Sequence, residues 1–322
     1  MWLADGCDRT ERMTVLDETD VDRRLGGLDL VALMRETLRS AALGDGGGPV
    51  RASFTTQRGV WFGAMPAWSG GSSGALGAKM VVAIPGNAAR GLPTHRACVV
   101  LLDPETGAFT AWIDAEALTR ARTAAVSVVA TQALARRASG AYAILGAGAQ
   151  GHAHLEAFTR AGMLGSLAVW SRDRERAAAL VRAATELGVA ARVAADPDDA
   201  VRGADVITTC TASAEPLFGA VSVADGAHVN AVGACVAQKR ELPGGLVGQA
   251  SLVVDDVDAA RAEAGDVILA VRDGDAAWDG VVTLGAVLAG IASPRVGRVT
   301  VFESLGIGVE DVAAAAALVR GP

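Results

Sequence analysis

Only two of the 29 basic residues are lysines, Lys79 and Lys239. Two readings are open: the lysines remain by chance, or a lysine kept in so arginine-rich a chain does work that arginine does not do. An ammonium gives up its proton readily, whereas a guanidinium stays charged. Lys79 also lies in an unusual stretch. Between Asp45 and Asp103 there is no acidic residue, yet Arg51, Arg58, Lys79, Arg90 and Arg96 all fall inside it, in a chain of net charge −7. Two readings stand side by side: a cationic site for a small anion such as a carboxylate, or a solvated face whose acids come from elsewhere. Arg122 extends the first reading. Thr119 reads as the N-cap of an alanine-rich helix over about residues 120–138, which puts Arg122 in the first turn. There the free N–H groups and the helix dipole favour an anion.

A second constellation is built of glycines. The run Gly146-Ala147-Gly148-Ala149-Gln150-Gly151 follows a short apolar strand, residues 141–145, and opens a helix to about residue 161. A G-x-G-x-x-G run is weak evidence alone, but between a strand and a helix it is the signature of a dinucleotide site. Gly146 permits the tight turn, Gly148 lets the backbone approach a pyrophosphate, and Gly151 lets helix and strand pack closely. An NAD site usually ends the next strand on Asp or Glu to hold the ribose hydroxyls. Here that strand ends Trp170-Ser171-Arg172, with Asp173 late and Arg174 and Arg176 close by. Ser171 and Arg172 suit a 2′-phosphate, so the expected cofactor is NADP(H) in preference to NAD(H).

These residues need elements to position them. From Tyr142 onward, apolar strands at 167–170, 191–195, 205–209, 228–232, 252–254 and 299–303 alternate with helical stretches. That alternation predicts a doubly wound parallel sheet, a Rossmann domain. Before it, a helix over residues 28–43 and strands at 13–16, 51–55, 59–65, 78–84, 97–102 and 109–113 predict an α+β region. Asp103, Pro104 and Gly107 form a hairpin turn there. Residues 309–319 form a last, alanine-rich helix, and residues 1–12 read as an extension. The fold class is α/β: a Rossmann dinucleotide-binding domain plus an α+β substrate-binding and dimerisation domain. Trp61, Phe62, Trp68 and the loop from Gly70 to Gly77 are candidates to shape a substrate pocket.

Bulk properties exclude other classes. The 322 residues have room for two cores. An acidic chain without a basic face is no nucleic-acid binder. No apolar run reaches the length of a membrane span, and the charged first residues lack a signal-peptide core. A cytoplasmic protein is therefore expected. Cys7, Cys98, Cys210 and Cys235 form no C-x-x-C pair, and the four histidines make no ligand set, so no metal is expected.

The order and spacing of several short motifs resemble the ornithine cyclodeaminase/mu-crystallin family over nearly the whole chain. They are Met65-Pro66-Ala67, Gly77-Ala78-Lys79, Pro85-Gly86-Asn87, Gly91-Leu92-Pro93, and Leu118-Thr119 followed by Arg122-Thr123-Ala124-Ala125. The Gly146–Gly151 loop comes next, then Val232-Gly233-Ala234, Arg240-Glu241-Leu242 and Ser304-Leu305-Gly306. The resemblance implies a homodimer. It implies a substrate-binding and dimerisation domain from residues 1–121 with 306–322, and a Rossmann domain from 122–305. It implies that Arg51, Lys79 and Arg122 grip the carboxylate of a small imino or amino acid, with Lys79 as the catalytic group. Thr211, Val232, Gly233 and Ser304 complete the candidate cofactor set. The activity implied is reduction of a ketimine or 2-imino acid to an L-amino acid, reversible as an amino-acid dehydrogenase. A cyclodeaminase of a diamino acid and a cofactor-bound carrier of small ligands are the rival activities. One departure bears on that choice. Cyclodeaminases carry an essential aspartate just after the Val-Gly pair, where this chain has Cys235. A thiol with an ordinary pKa near 8.5 is a poor proton acceptor in its place. This favours the reductase and leaves Cys235 either a catalytic thiol or a buried spectator.

Overall fold

Buried and exposed residues alternate along residues 61–69, as they must in a strand with one face on a core and one outward. The computed structural model describes residues 13–71 and 74–321. The predicted extension, residues 1–12, lies outside them, as do Ser72 and Ser73 of the pocket-loop candidate. The first sheet is formed by β1 (Thr14–Leu16), β2 (Gly46–Gly47), β3 (Ala52–Thr55), β4 (Trp61–Ser69), β5 (Ala75–Ala83), β6 (His95–Leu102) and β7 (Phe109–Asp114). Its order is β1-β7-β6-β5-β4-β2, with β3 also on β4; all pairs are antiparallel except β1 with β7.

The second sheet is formed by β8 (Gly140–Leu145), β9 (Leu164–Trp170), β10 (Ala190–Val193), β11 (Val206–Thr209), β12 (His228–Ala231), β13 (Ala250–Val254), β14 (Val282–Thr283) and β15 (Val299–Glu303). Its order is β10-β9-β8-β11-β12-β15-β13-β14, parallel throughout. The order reverses direction at β8, the switch point that defines a doubly wound dinucleotide-binding sheet. Every residue of β11, β12 and β13 is buried, because helices cover both faces.

Two helices tie the sheets together. The helix Glu116–Leu134 buries every residue from Arg122 to Thr131, since both its sides face protein. The last helix, Gly308–Arg320, leaves β15 of the second sheet and packs on β4, β5 and β6 of the first. Its first residue, Gly308, sits close on that sheet, where a Cβ would stand 2.9 Å from the Met65 carbonyl oxygen. Among the described residues no helix is long and apolar enough to cross a membrane.

One expectation needs correction. The helix predicted to begin after Thr119 begins at Glu116, with Ala115 as its N-cap and Asp114 accepting the N–H of Glu116 at 3.1 Å. Arg122 is therefore in the second turn and gains nothing from free helix N–H groups. The acids at Asp114 and Glu116 complement that N-terminus and outweigh the capping preference of Thr119. The short helices Gly244–Gly248, Val257–Glu263, Gly265–Asp273 and Leu284–Leu288 are not among the expected elements.

Candidate active site

The glycine turn joins β8 to the helix Ala149–Arg160. Gly146 has φ +117°, and a Cβ there would stand 2.6 Å from the carbonyl oxygen of Cys210. A Cβ at Gly151 would stand 2.2 Å from the Gly146 carbonyl oxygen, so both positions admit only glycine. Gly148 is the N-cap, and a Cβ there would meet nothing within 4 Å: the turn is open to a ligand. The first N–H groups of the helix, at Ala149 and Gln150, have no partner in the preceding turn. Gln150 Oε1 is buried without a hydrogen bond. An open backbone, free N–H groups and the positive end of a helix fit a pyrophosphate.

The other cofactor-side candidates follow the same edge of the sheet. Ser171 and Arg172 come directly after β9, and Arg172 is exposed. Asp173 is turned away from the strand end: its carboxylate caps the helix Arg174–Glu186, accepting from the N–H groups of Glu175 (3.0 Å) and Arg176 (3.1 Å). Thr211, Val232 and Ser304 follow β11, β12 and β15, which are neighbours, so these residues share the carboxyl edge of the sheet with Gly146. Glu241 joins two of the loops. Its carboxylate accepts the N–H of Thr211 at 2.5 Å and that of Gly233 at 2.9 Å.

The cations gather at the first sheet. Lys79 lies on β5 between Met65 of β4 and Val99 of β6, facing the last helix. Its Nζ donates to both oxygens of Asp311 at 3.1 Å. Asp311 also accepts from Nε of Arg122 at 2.9 Å, and Glu310 Oε2 accepts from Nη1 of Arg122 at 2.7 Å. All four side chains are buried. Arg51, just before β3, donates through Nη2 to the carbonyls of Leu305 (3.1 Å) and Gly306 (3.4 Å) and pairs with Glu263 at 3.5 Å. Its guanidinium carbon lies 5.9 Å from the centre of the Trp61 ring. Phe62 packs on Phe54 instead, and Trp68 is largely exposed.

Burial sets the protonation of this cluster. It pushes Lys79 down to about 8, against the pull of Asp311, which favours the charged form. It pushes Glu310 up to about 8, with Asp255 adding repulsion and Arg122 opposing. Burial acts upward on Asp311 too, yet Arg122 and Lys79 hold it below the usual carboxylate range. For Arg122 burial opposes the charge, but Asp311 and Glu310 more than offset it.

Of the five cations in the acid-free stretch, Arg51 and Lys79 enter this cluster, whereas Arg58, Arg90 and Arg96 are exposed. The acids do come from elsewhere in the chain, but to a buried site and not to a solvated face. The pair Glu310-Asp311 escaped the sequence reading because acids in a first helical turn are ordinary dipole complements. The signal available was two adjacent acids opening a helix that is otherwise apolar up to its terminal Arg320.

Cys235 lies between the two groups. Its Sγ donates to the carbonyls of Val232 at 3.3 Å and Ser304 at 3.5 Å. Burial pushes its thiol up to about 12 against the pull of Arg51, so it is neutral at pH 7.

The second sheet with its glycine turn defines a Rossmann dinucleotide-binding protein, and a buried cationic cluster sits on its companion sheet. A family model described as the ornithine cyclodeaminase/mu-crystallin family matches residues 11–320, and the chain belongs to that family. It is 39% identical over 290 residues to a mouse protein named ketimine reductase mu-crystallin, covering 89% of this chain and 90% of the relative. Its structure resembles the Δ1-pyrroline-2-carboxylate reductase of Thermococcus litoralis in complex with NADH and L-proline. The TM-score is 0.89 at 27% identity, covering 96% of this chain and 98% of the other. It also resembles an archaeal alanine dehydrogenase dimer with bound NAD, with a TM-score of 0.88 at 31% identity and coverage of 96% and 98%.

Proposed function

We propose that this protein reduces the C=N bond of a 2-imino acid to an L-amino acid, reversibly, with NADPH preferred to NADH. The chain is an NAD(P)-dependent oxidoreductase acting on C–N bonds. The observation that carries the finer reading is the buried set Lys79, Arg122, Asp311 and Glu310 beside Arg51. An enzyme for a small carboxylate needs such a fixed, desolvated clamp. In this reading Arg51 and Arg122 hold the substrate carboxylate. Arg122 directs Nε and Nη1 to Asp311 and Glu310, which leaves Nη2 for the substrate. Lys79, held near neutrality, contacts the carboxylate or the nitrogen and delivers the proton that the amine gains. The Gly146–Gly151 turn, Ser171, Arg172, Thr211, Val232, Gly233 and Ser304 would hold the dinucleotide, whose nicotinamide supplies hydride to the substrate α-carbon. The reading divides the chain into a substrate and dimerisation domain, 1–121 with 306–322, and a cofactor domain, 122–305. It includes a homodimer, supported by the exposed apolar residues Val15, Phe54, Trp68 and Phe109 on the first sheet.

The test is NADPH absorbance with a panel of 2-oxo acids plus ammonia or methylamine, and with cyclic imines. Consumption equal to the amine formed supports the reading. Cyclic product from a diamino acid without net consumption would replace it with cyclodeamination. Tight NADPH binding with no turnover on any member would replace it with ligand carriage.

Two variants refine it. Because Asp173 is engaged as a cap, Arg172 is the charge free to meet a 2′-phosphate. Arg172→Gln is expected to weaken NADPH binding by about ten- to a hundredfold and NADH binding little. Fluorescence titration of both cofactors reads this; equal losses, or a wild-type preference for NADH, count against it. Cys235→Ala is expected to keep most imine-reducing activity, since a neutral thiol that donates to backbone carbonyls cannot serve as a proton acceptor. A cyclodeaminase would lose general-base help worth about 10²–10⁴-fold at that position. A folded, cofactor-binding Cys235→Ala protein without turnover would overturn the spectator reading.

A further inference from the structure

The turn Leu305-Gly306 leads from β15 to the helix that carries Glu310 and Asp311. Its peptide groups are gripped from two sides. Asp255, buried at the end of β13, accepts through Oδ2 the N–H of Leu305 at 2.5 Å and that of Gly306 at 2.7 Å. Arg51 holds the two carbonyls of the same residues. The third contact is Arg122. Gly306 has φ +75°, and a Cβ there would stand 2.6 Å from both Nη1 and Nη2 of Arg122. The guanidinium therefore meets the turn edge-on, through Nη1 and Nη2.

The pairing of β13 with β15 explains why Asp255 meets this turn. Val254 is in register with Glu303, so the residues that follow, Asp255 and Ser304-Leu305-Gly306, leave the sheet side by side. The peptide joining Leu305 to Gly306 has its N–H on the anion and its C=O on the cation, so its dipole lies between opposite charges.

We infer that Asp255 is a positioning residue: by fixing Leu305-Gly306 it sets where Arg51 and Arg122 stand, and so how well the protein captures a carboxylate. This rests on the reading of Arg51 and Arg122 as the substrate clamp. Without Asp255 two buried N–H groups lose their acceptor, the turn relaxes, and both guanidinia lose the surface they rest on. The dinucleotide turn at Gly146 shares none of these bonds.

The experiment compares wild type, Asp255→Asn and Asp255→Ala as full-length proteins. The readings are kcat and KM for an imino acid, NADPH affinity by fluorescence, and pyruvate affinity of the NADPH complex by calorimetry. Asp255→Ala is expected to raise KM, and to weaken pyruvate, by about ten- to a hundredfold, with kcat within about threefold of wild type and NADPH affinity unchanged. Asp255→Asn keeps an acceptor oxygen and is expected to fall between the two. It carries the same test if the alanine variant does not fold. Unchanged KM and pyruvate affinity in a folded variant, or an equal loss of NADPH affinity, overturns the inference. A wild type that binds pyruvate but reduces no imine would refute the proposed activity while leaving the Asp255 comparison to be read in pyruvate binding.

Discussion

Lys79→Arg is expected to lower kcat/KM for the imino acid by about a hundredfold or more, within the range of lost general acid–base help, while the fold and NADPH affinity persist. The replacement keeps a positive charge opposite Asp311, so the buried carboxylate stays paired. It changes two other things. A planar guanidinium needs more room than the compact ammonium that sits between β4 and β6. It also removes the one cation of the cluster whose pKa, about 8, lets it exchange a proton near neutrality. Steady-state kinetics with cofactor titration and circular dichroism separate these effects; near-normal kcat and KM would remove Lys79 from the proposed role. The pH profile gives a second reading. As pH rises through about 8, Lys79 loses its proton and Glu310 becomes an anion. Both changes weaken the capture of a carboxylate, so kcat/KM should fall on the alkaline side. Glu310→Gln should leave only the Lys79 contribution to that fall.

Asp311→Asn should damage stability most. Asp311 is fully buried and partners both Lys79 and Arg122. An asparagine offers one oxygen for two cations and turns its own N–H donors toward the other. Breaking a buried ion pair from one side costs about 3–5 kcal/mol, and in a chain of this size the melting midpoint should fall by about 5–10 °C. The sign with pH follows from the depressed pKa of Asp311. Its contribution is complete above the unfolded value, near 3.9, and is lost as pH falls through the lower folded value. The gap in stability between wild type and variant should therefore be full at pH 7 and narrow only in strong acid. Asp311 also raises the pKa of Lys79, so the alkaline limb of activity should move to lower pH in the variant. Calorimetric melting across pH checks the first expectation and kinetics the second. A variant as stable as wild type would show that the cations find another partner.

The parts of this molecule that were readable from sequence are those whose cause is local. β15 was predicted at its observed bounds, 299–303, because a short apolar strand entering a turn has its pattern in its own residues. The same holds for the glycine turn, where Gly146 and Gly151 are fixed by clashes within the βαβ unit. The start of the helix at Glu116 was misplaced because two local signals competed and the acids won over the threonine. The short helix from Val257 was missed although Asp256 caps it, since seven residues hold too few turns to show a period. The site was half legible. Its cations stood out by composition, but their partners did not, because Asp311 is far along the chain and nothing in the local pattern records such a pairing.

That distance has a consequence for how the protein is made. Lys79 leaves the ribosome 232 residues ahead of Asp311, an interval of about 10–50 s at ordinary rates of synthesis. Throughout it, β4, β5 and β6 lack the helix that covers them, and two cations destined for a dry interior have no counter-charge. The parallel sheet, contiguous from β8 to β15, is complete before that helix emerges. The half of the molecule synthesised first is thus the half that closes last, and a chain that stalls before residue 308 would present an intact nucleotide-binding fold attached to an open, unfinished sheet.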